Sequence, residues 1–258
     1  MNMKFDSKAV LITGASSGIG AACARAFAAN GASLILAARR IDRLSEIAEQ
    51  LCAAHDVNIR AMPLDVRSRG AVEGFVQALE EDDVTIDILV NNAGLASGLA
   101  TVQEGNIDDW EKMIDTNVKG LLYLTRAVVP GMVARGSGHV INIGSIAGHE
   151  TYPNGAVYCA TKHAVAAINR GLAIDTLGTG VRVSSVDPGL VETEFSVVRF
   201  HGDQERADGV YQGLTPLSAE DAADAVLFCA TRPPHANVRE MILMPTDQAA
   251  AVHVNRKP

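Results

Sequence analysis

Short apolar runs alternate with longer amphipathic segments along almost the whole chain. The runs have the composition of strands, and they cover residues 9–13, 33–38, 59–64, 87–91, 139–143, 181–186 and 241–244. The amphipathic segments between them are predicted to be helices, at 43–54, 71–81, 110–135, 157–177 and 219–230. Because strand and helix alternate regularly, we expect an α/β fold whose parallel sheet is covered by helices on both faces.

One stretch departs from this rhythm. Residues 190–217 are rich in glycine and charge, and they follow the strand predicted at 181–186. A connection of this length inside a compact domain is usually functional, so we expect a lid over a substrate site. No repeat, low-complexity tract or linker interrupts the rest, which predicts one domain over residues 1–258.

The overall charge excludes two classes of partner. The 258-residue chain is 48% hydrophobic and 20% charged, with a formal net charge of -8. Nucleic acids and anionic membranes both need a basic face, so we expect neither to bind. An anionic substrate would therefore have to be attracted by local arginines.

The chain shows no targeting or membrane signal. Its apolar runs fall well short of the ~20 residues that span a bilayer, and we expect a cytoplasmic protein. The four cysteines are predicted to be buried free thiols without metal-type spacing; they are Cys23, Cys52, Cys159 and Cys229. His149 and His201 fit no metal-ligand pattern either, so no metal site is expected.

A glycine-rich turn follows the first strand. Residues 13–20 read Thr-Gly-Ala-Ser-Ser-Gly-Ile-Gly and lead into an amphipathic helix. A strand, a glycine turn and a helix form a dinucleotide-binding unit, in which the helix N-terminus faces the phosphates. The predicted ligands in this turn are Gly14, Ser16, Ser17, Gly18, Ile19 and Gly20. The spacing differs from G-x-G-x-x-G, so taken alone it leaves open a glycine turn without a ligand.

Two arginines follow the second strand. An NAD-binding fold places an acidic residue near this point to bind the ribose 2′-hydroxyl, but here the residues are Arg39 and Arg40. Guanidinium groups form strong bonds to phosphate, which favours a 2′-phosphate and therefore NADP(H). The alternative is a solvated helix start, although cations are unfavourable there unless an anion is close.

A possible acid/base pair lies on a later helix. Tyr158 and Lys162 are four residues apart, so they share one helical face with Cβ atoms roughly 6 Å apart. A nearby ammonium is expected to lower the pKa of a phenol and suit it to proton transfer. Such a pair alone is more often ordinary helix surface. Ser145, however, follows another strand, and ligands of parallel sheets bind at the carboxyl ends of strands.

Together these motifs resemble the short-chain dehydrogenase/reductase family. The resemblance rests on residues 13–20, Asp65, Val66, 91–94, Asn117, Ser145, Tyr158, Lys162, 188–189 and Thr193. It implies a Rossmann-like three-layer αβα sandwich with a seven-stranded parallel sheet. It also implies that Tyr158 is the acid/base, that Ser145 binds the substrate oxygen, and that Lys162 binds the nicotinamide ribose.

The same resemblance implies further roles around the cofactor. Asn117 would kink its helix and hold a water of a proton relay. Asp65 and Val66 would contact the adenine, and Asn92 the nearby ribose. The remaining cofactor contacts that it implies are Ala93, Gly94, Pro188, Gly189, Val191 and Thr193.

Residues 109–119 and 191–200 resemble one subgroup more closely. They are similar to NADP-dependent 3-hydroxy acid dehydrogenases, which include serine and allo-threonine dehydrogenases, and equally to sulfoacetaldehyde reductases. Both classes take small substrates with an acidic group. Arg199 in the lid is the expected partner of that group, with Tyr152 and Gln248 as further candidates. The chain departs from the subgroup after Gln248, where alanines stand in place of an aromatic residue.

We therefore expect an NADP(H)-dependent enzyme that interconverts a small acidic 3-hydroxy acid, such as L-serine or 3-hydroxypropionate, and its semialdehyde. One alternative is a sulfoacetaldehyde reductase forming isethionate, and another is a reductase of a bulkier ketone, which the charged lid disfavours. A non-catalytic NADP-binding sensor or scaffold would be expected to have lost Ser145, Tyr158 or Lys162. The helices predicted at 110–135 and 157–177 are apolar on most sides, which with the family's habit suggests a homotetramer.

Overall fold

A computed structural model describes residues 5–257 and shows a sheet of seven parallel strands. The strands are β1 (Ala9–Thr13), β2 (Ser33–Ala38), β3 (Ile59–Pro63), β4 (Ile88–Asn91), β5 (Gly138–Ile143), β6 (Val181–Pro188) and β7 (Glu240–Leu243). Their order across the sheet is β3-β2-β1-β4-β5-β6-β7. The sheet order reverses between β1 and β4, so a crevice for a ligand opens there at the carboxyl edge.

Helices cover both faces of the sheet. They are α1 (Gly18–Ala28), α2 (Ile41–Ala54), α3 (Arg69–Glu81), α4 (Ile107–Ile114), α5 (Leu121–Arg135), α6 (Ala156–Asp175), α7 (Phe195–Arg199), α8 (Gln204–Gly209) and α9 (Ala219–Ala230). Apolar side chains of α1, α2 and α9 fill the core on one face, and those of α3 and α5 fill the other. The predicted three-layer αβα sandwich is confirmed.

The helix predicted at 110–135 is not one regular helix. Between α4 and α5 lies a π-helical turn, Asp115–Gly120, which contains the buried Asn117. The Asn117 amide accepts a hydrogen bond from the backbone N–H of Leu95 at 2.8 Å and donates to the Leu95 carbonyl at 2.8 Å. Helical periodicity does not reveal this turn, because a widened turn preserves the amphipathic pattern on either side.

The segment predicted as a lid is anchored at both ends. The Leu217 N–H donates to the Leu190 carbonyl at 2.9 Å, and the Glu192 N–H donates to the Leu217 carbonyl at 2.9 Å. Between these anchors the chain forms α7 and α8, although the sequence analysis predicted no helix there. The Gly98 N–H donates to the Arg199 carbonyl at 2.8 Å, which brings α7 down onto the loop after β4.

Burial of the cysteines differs from expectation at one position. Cys23, Cys159 and Cys229 are buried free thiols, whereas Cys52 is exposed. The prediction is wrong for Cys52 because it lies on α2, where only Leu44 and Leu51 are buried. Across residues 5–257, no helix combines the length and the apolar character needed to cross a membrane.

Candidate active site

A groove of about 340 Å³ runs along the carboxyl edge of the sheet, from the glycine turn to Tyr158. Nearly all of the predicted cofactor and catalytic residues line it: Gly14, Ser16, Ser17, Gly18, Ile19, Arg39, Arg40, Asp65, Val66, Asn92, Ala93, Gly94, Ser145, Tyr158, Lys162, Pro188, Gly189, Val191 and Thr193. Gly20 and Asn117 are not among the lining residues. The groove therefore brings together chemistry from six strand ends, because parallel strands all finish at one edge.

The glycine turn presents the start of α1 to this groove. Gly14 and Gly18 have φ angles of +63° and +51°, which favour glycine. At Gly20 a Cβ atom would lie 2.5 Å from the Gly14 carbonyl oxygen, so only glycine lets α1 approach. The N-cap residue Ser17 makes no side-chain capping bond. The first N–H groups of α1 are thus available to a phosphate group.

The Asn92 side chain is hydrogen-bonded to the backbone of the glycine turn. Its amide nitrogen donates to the carbonyls of Thr13 and Gly14, at 2.8 and 3.2 Å. The Thr13 hydroxyl in turn accepts from the backbone N–H groups of Asn92 and Ala93, both at 3.0 Å. The loop after β4 therefore braces the glycine turn, while the expected contact of Asn92 with a ribose stays a prediction.

Arg40 lies against the glycine turn, although part of its side chain is exposed. Its guanidinium donates to the hydroxyl of Ser16 at 3.1 and 3.2 Å and to that of Ser17 at 2.7 Å. The neighbouring Arg39 is exposed and makes no side-chain hydrogen bond within residues 5–257. These positions fit a 2′-phosphate and disfavour a solvated helix start, since both cations border the groove.

Polar atoms at the adenine end of the groove also fit a dinucleotide. Arg67 binds the Asp65 carboxylate, and this side-chain hydrogen bond keeps the pKa of Asp65 below its usual value. Val66 lines the groove beside it. The Thr116 hydroxyl also lies at the groove; it is buried and has no hydrogen-bond partner in the part of the chain described. Such an orphaned group suits a ligand that carries hydroxyl or ring nitrogen atoms.

Three predicted catalytic residues meet at the other end of the groove. Tyr158 and Lys162 lie one turn apart on α6, and Ser145 follows β5; all three are buried. The Lys162 ammonium donates to the Ile143 carbonyl at 2.8 Å, and the Ser145 hydroxyl accepts from the Ala147 N–H at 3.1 Å. The edge of the Phe195 ring packs against Tyr158, with 5.7 Å between ring centroids. The segment predicted as a lid thus contacts the Tyr158 phenol.

The protonation of Tyr158 depends above all on burial. Burial raises the pKa of Tyr158, and the phenol of Tyr152 adds to this effect. A side-chain hydrogen bond with Ser145 and the charge of Arg199 lower the pKa by less. Burial is the largest effect and places the pKa of Tyr158 above its usual value, so the expected lowering by the Lys162 ammonium stays a prediction. At neutral pH the phenol carries its proton, which is the form that can act as an acid.

Burial lowers the pKa of Lys162, whereas it raises that of Tyr158. It lowers the pKa of this ammonium to about 8, while the Asp187 carboxylate partly opposes the change. Asp187 is itself buried, and it accepts hydrogen bonds from Ser185 and from His149, the latter at 2.7 Å. The site therefore holds a lysine whose pKa is brought close to neutral pH by burial.

Asn117 does not reach the groove, and it acts on the site through other residues. Besides its two bonds to Leu95, its amide donates to the Thr161 hydroxyl at 3.0 Å. It thereby ties the loop after β4 to α6, the helix that carries Tyr158 and Lys162. The expected role in a proton relay remains a prediction.

Two predicted substrate residues come together beside Tyr158. The half-buried Arg199 donates to the Tyr152 hydroxyl at 2.6 Å. Its guanidinium carbon lies 5.4 Å from the centroid of the Tyr152 ring and 5.5 Å from that of Tyr158. Within residues 5–257 no carboxylate forms an ion pair with Arg199. The Tyr158 phenol thus has next to it a cation that no carboxylate of the described residues pairs with, which is suited to an anionic ligand.

The third predicted substrate residue, Gln248, has another role. Its side-chain oxygen accepts from the Leu190 N–H at 2.8 Å, and its nitrogen donates to the Ala250 carbonyl at 3.2 Å. Both ends of this buried amide are therefore engaged by the backbone. Gln248 thus braces the start of the lid, because the tail folds back there, and its expected contact with the substrate stays a prediction.

The structure also brings His149 into a cluster that the sequence analysis did not expect. Ligand atoms of His149, Asp187 and Glu240 lie within 4.8 Å of one another. His149 is bonded to Asp187, however, and Glu240 accepts from Arg170 at 2.8 Å. Each group therefore already has a protein partner.

Two acidic residues of the site had no assigned role in the sequence analysis. Asp187 precedes Pro188 at the end of β6, and a carboxylate at a strand end was a usable signal. Glu194 in the lid binds Arg40 and Arg43, but nothing in the local sequence indicates partners about 150 residues away.

The fold, together with the glycine turn and the Tyr158–Lys162 pair, is that of a short-chain dehydrogenase. Residues 8–203 match the family model described as short chain dehydrogenase, and the chain belongs to this family.

Individual proteins of known class are also similar to this chain. The chain is 46% identical to an NADP-dependent 3-hydroxy acid dehydrogenase of Schizosaccharomyces pombe over 98% of each protein. It is 47% identical to sulfoacetaldehyde reductase 2 of Chromohalobacter salexigens, over 94% of this chain and 96% of the relative. Among solved structures, the closed form of a serine dehydrogenase complexed with NADP+ is similar at a TM-score of 0.89. That structure is 46% identical and covers 94% of this chain and 97% of its own.

Proposed function

We propose that this enzyme interconverts a small anionic 3-hydroxy acid and the corresponding semialdehyde. The chain is an NADP-dependent oxidoreductase, in keeping with its family, its relatives and the arginines at the end of β2. The substrate class rests on one observation, the uncompensated guanidinium of Arg199 that lies 5.5 Å from the Tyr158 ring.

The residues of the site divide the work of reduction. NADPH, when bound, supplies the hydride that adds to the carbonyl carbon. The protonated phenol of Tyr158 donates its proton to the carbonyl oxygen, and the Ser145 hydroxyl orients that oxygen by a hydrogen bond. The Lys162 charge stabilises the phenolate left behind, one helical turn away. In the reverse direction the phenolate takes the hydroxyl proton.

Arg199 and Tyr152 are proposed to hold the acidic group of the substrate. A guanidinium fork binds a carboxylate or a sulfonate through paired N–H groups. The Tyr152 hydroxyl, already bonded to Arg199, adds a donor at the same place. A reductase of bulky ketones is disfavoured, since an unpaired cation beside the catalytic phenol would be costly to cover with an apolar substrate.

A sulfoacetaldehyde reductase is the second candidate. It is favoured by the 47% identity to a relative of that name. The same arginine serves both substrates, so their relative rates have to be measured. A non-catalytic NADP-binding role is disfavoured by the complete set of Ser145, Tyr158 and Lys162 in the groove.

The test is a substrate panel on wild-type enzyme and Arg199→Gln. Malonic semialdehyde, succinic semialdehyde and sulfoacetaldehyde would be reduced with NADPH, with propanal as the neutral control, and L-serine and 3-hydroxypropionate would be oxidised with NADP+. Loss of a charge-assisted bond of about 2 kcal/mol should lower kcat/KM for the anions roughly 30-fold and leave propanal unchanged.

A second arginine of the lid provides the matched control. Arg206 stacks over the Phe200 ring at 4.4 Å and does not line the groove that contains Tyr158. Arg206→Gln should leave the ratio of anionic to neutral substrates unchanged. An equal loss on propanal and on the anions in Arg199→Gln would exclude the anion clamp.

The assembly and location are proposals of the same kind. Large apolar side chains are exposed on α5 and α6, among them Leu122 and Val133. We propose that these faces meet in a homotetramer, which light scattering would check against the 27.1 kDa chain mass.

The four free cysteines favour the reducing cytoplasm, and fractionation would test that location.

A further inference from the structure

One carboxylate of the lid occupies the cationic end of the groove. Glu194 lies directly after Thr193 and binds two arginines, with 2.9 Å to the Arg40 Nη1 atom and 2.6 Å to the Arg43 Nη1 atom. It is the N-cap of α7, the helix that also carries Arg199. This short helix therefore contacts the Tyr158 phenol through Phe195 and Arg199, and the residue at its start binds Arg40 and Arg43.

Arg40 is the residue that both Glu194 and a bound 2′-phosphate would contact. It also binds the hydroxyls of Ser16 and Ser17 in the glycine turn, and together with Arg39 it borders the groove that would hold the 2′-phosphate. A phosphate there would carry about two negative charges and would need N–H groups of Arg40, one of which Glu194 already binds. The hydrogen bonds of the two arginines hold the pKa of Glu194 below its usual value, although burial opposes them, so the carboxylate is ionised at neutral pH. Two anions cannot share this guanidinium without mutual repulsion.

We propose that Glu194 competes with the coenzyme 2′-phosphate for Arg40, and thereby limits the enzyme's preference for NADP(H) over NAD(H). This inference rests on the proposed cofactor but not on the proposed substrate. It makes Glu194 a residue that determines coenzyme specificity, and it couples the position of α7 to the occupant of the arginine site.

The expected size of the effect follows from exposure. The side chains of Arg40, Arg43 and Glu194 are 44%, 48% and 45% exposed. Exposed ion pairs contribute only about 0.2–1 kcal/mol, so removing the competing charge should change affinity about threefold.

The experiment measures binding of two fragments to the full-length protein by calorimetry. Adenosine 2′,5′-bisphosphate carries the 2′-phosphate, and adenosine 5′-monophosphate lacks it. In Glu194→Gln the bisphosphate should bind about threefold more tightly, while the monophosphate should bind as it does to the wild type. The gain should shrink at high salt, because exposed charges are screened.

Glu192→Gln is the matched control, since Glu192 is an exposed acid of the same segment that forms no ion pair with any residue between 5 and 257. It should change neither affinity. Unchanged or weaker bisphosphate binding in Glu194→Gln would overturn the competition, and so would an equal gain for both fragments. If the wild type itself did not prefer the bisphosphate, the NADP(H) assignment would fail as well, whereas the substrate panel would remain the test of substrate.

Discussion

Replacement of Lys162 by methionine should remove activity and yet change stability in a pH-dependent way. Lys162 is buried, and its ammonium has a pKa of about 8 in the folded protein instead of the usual 10.5. Burial is the cause, so the folded state opposes the charged form. Below pH 8 the protein therefore loses stability by keeping this ammonium inside.

The size of this effect follows from the two pKa values. Their difference corresponds to about 3 kcal/mol, at about 1.36 kcal/mol for each pH unit. Between pH 8 and 10.5 the unfolded chain binds more protons at this lysine than the folded protein, so wild-type stability gains as pH rises. Methionine has no such dependence. The variant's stability relative to wild type should therefore fall by about 2 kcal/mol between pH 7 and pH 10.

Comparing the free energy of unfolding at several pH values separates the effect of the buried charge from losses of stability that do not depend on pH. Methionine cannot donate to the Ile143 carbonyl, which costs about 1–3 kcal/mol at every pH. The assay is urea denaturation of both proteins at equal concentration and several pH values. Lys119→Met is the control, because Lys119 is an exposed partner of Asp115 and should show no such fall. A stability difference that stays constant from pH 7 to 10 in Lys162→Met would refute the buried ammonium.

Two further substitutions test the catalytic and cofactor ends of the groove. Tyr158→Phe removes the proton donor but keeps the ring that packs on Phe195, so turnover should disappear while NADPH binding, followed by fluorescence, stays nearly intact; more than a few per cent of residual activity would count against this role. Gly20→Ala places a Cβ atom 2.5 Å from the Gly14 carbonyl oxygen and should weaken NADPH binding at least about tenfold. The control Gly74→Ala, on α3 with open space around it, should bind NADPH normally and gain about 0.5–1 kcal/mol in stability; equal NADPH affinity in the two variants would show that close approach at Gly20 is not needed.

Local rules were sufficient for the strands, for the glycine turn and for the shared face of Tyr158 and Lys162. A period of two or of 3.6 residues follows from backbone geometry, so it can be read within a short window. Because parallel strands end at one edge, the placement of Ser145 and Gly14 at a common groove also followed without coordinates. The π-helical turn at Asn117 did not, since side-chain bonds to Leu95 stabilise it.

What only the tertiary structure decided involves distant segments and burial. Arg199 meets Tyr152 across 47 residues, and Arg40 meets Glu194 across 154, so no local pattern could pair them. Gln248 accepts a hydrogen bond from the backbone at the start of the lid, 58 residues away, because the tail folds back there. The amino-acid sequence by itself determined which groups stand at the sheet edge, whereas the protonation of Tyr158 and Lys162 depends on how much water the folded chain excludes around them.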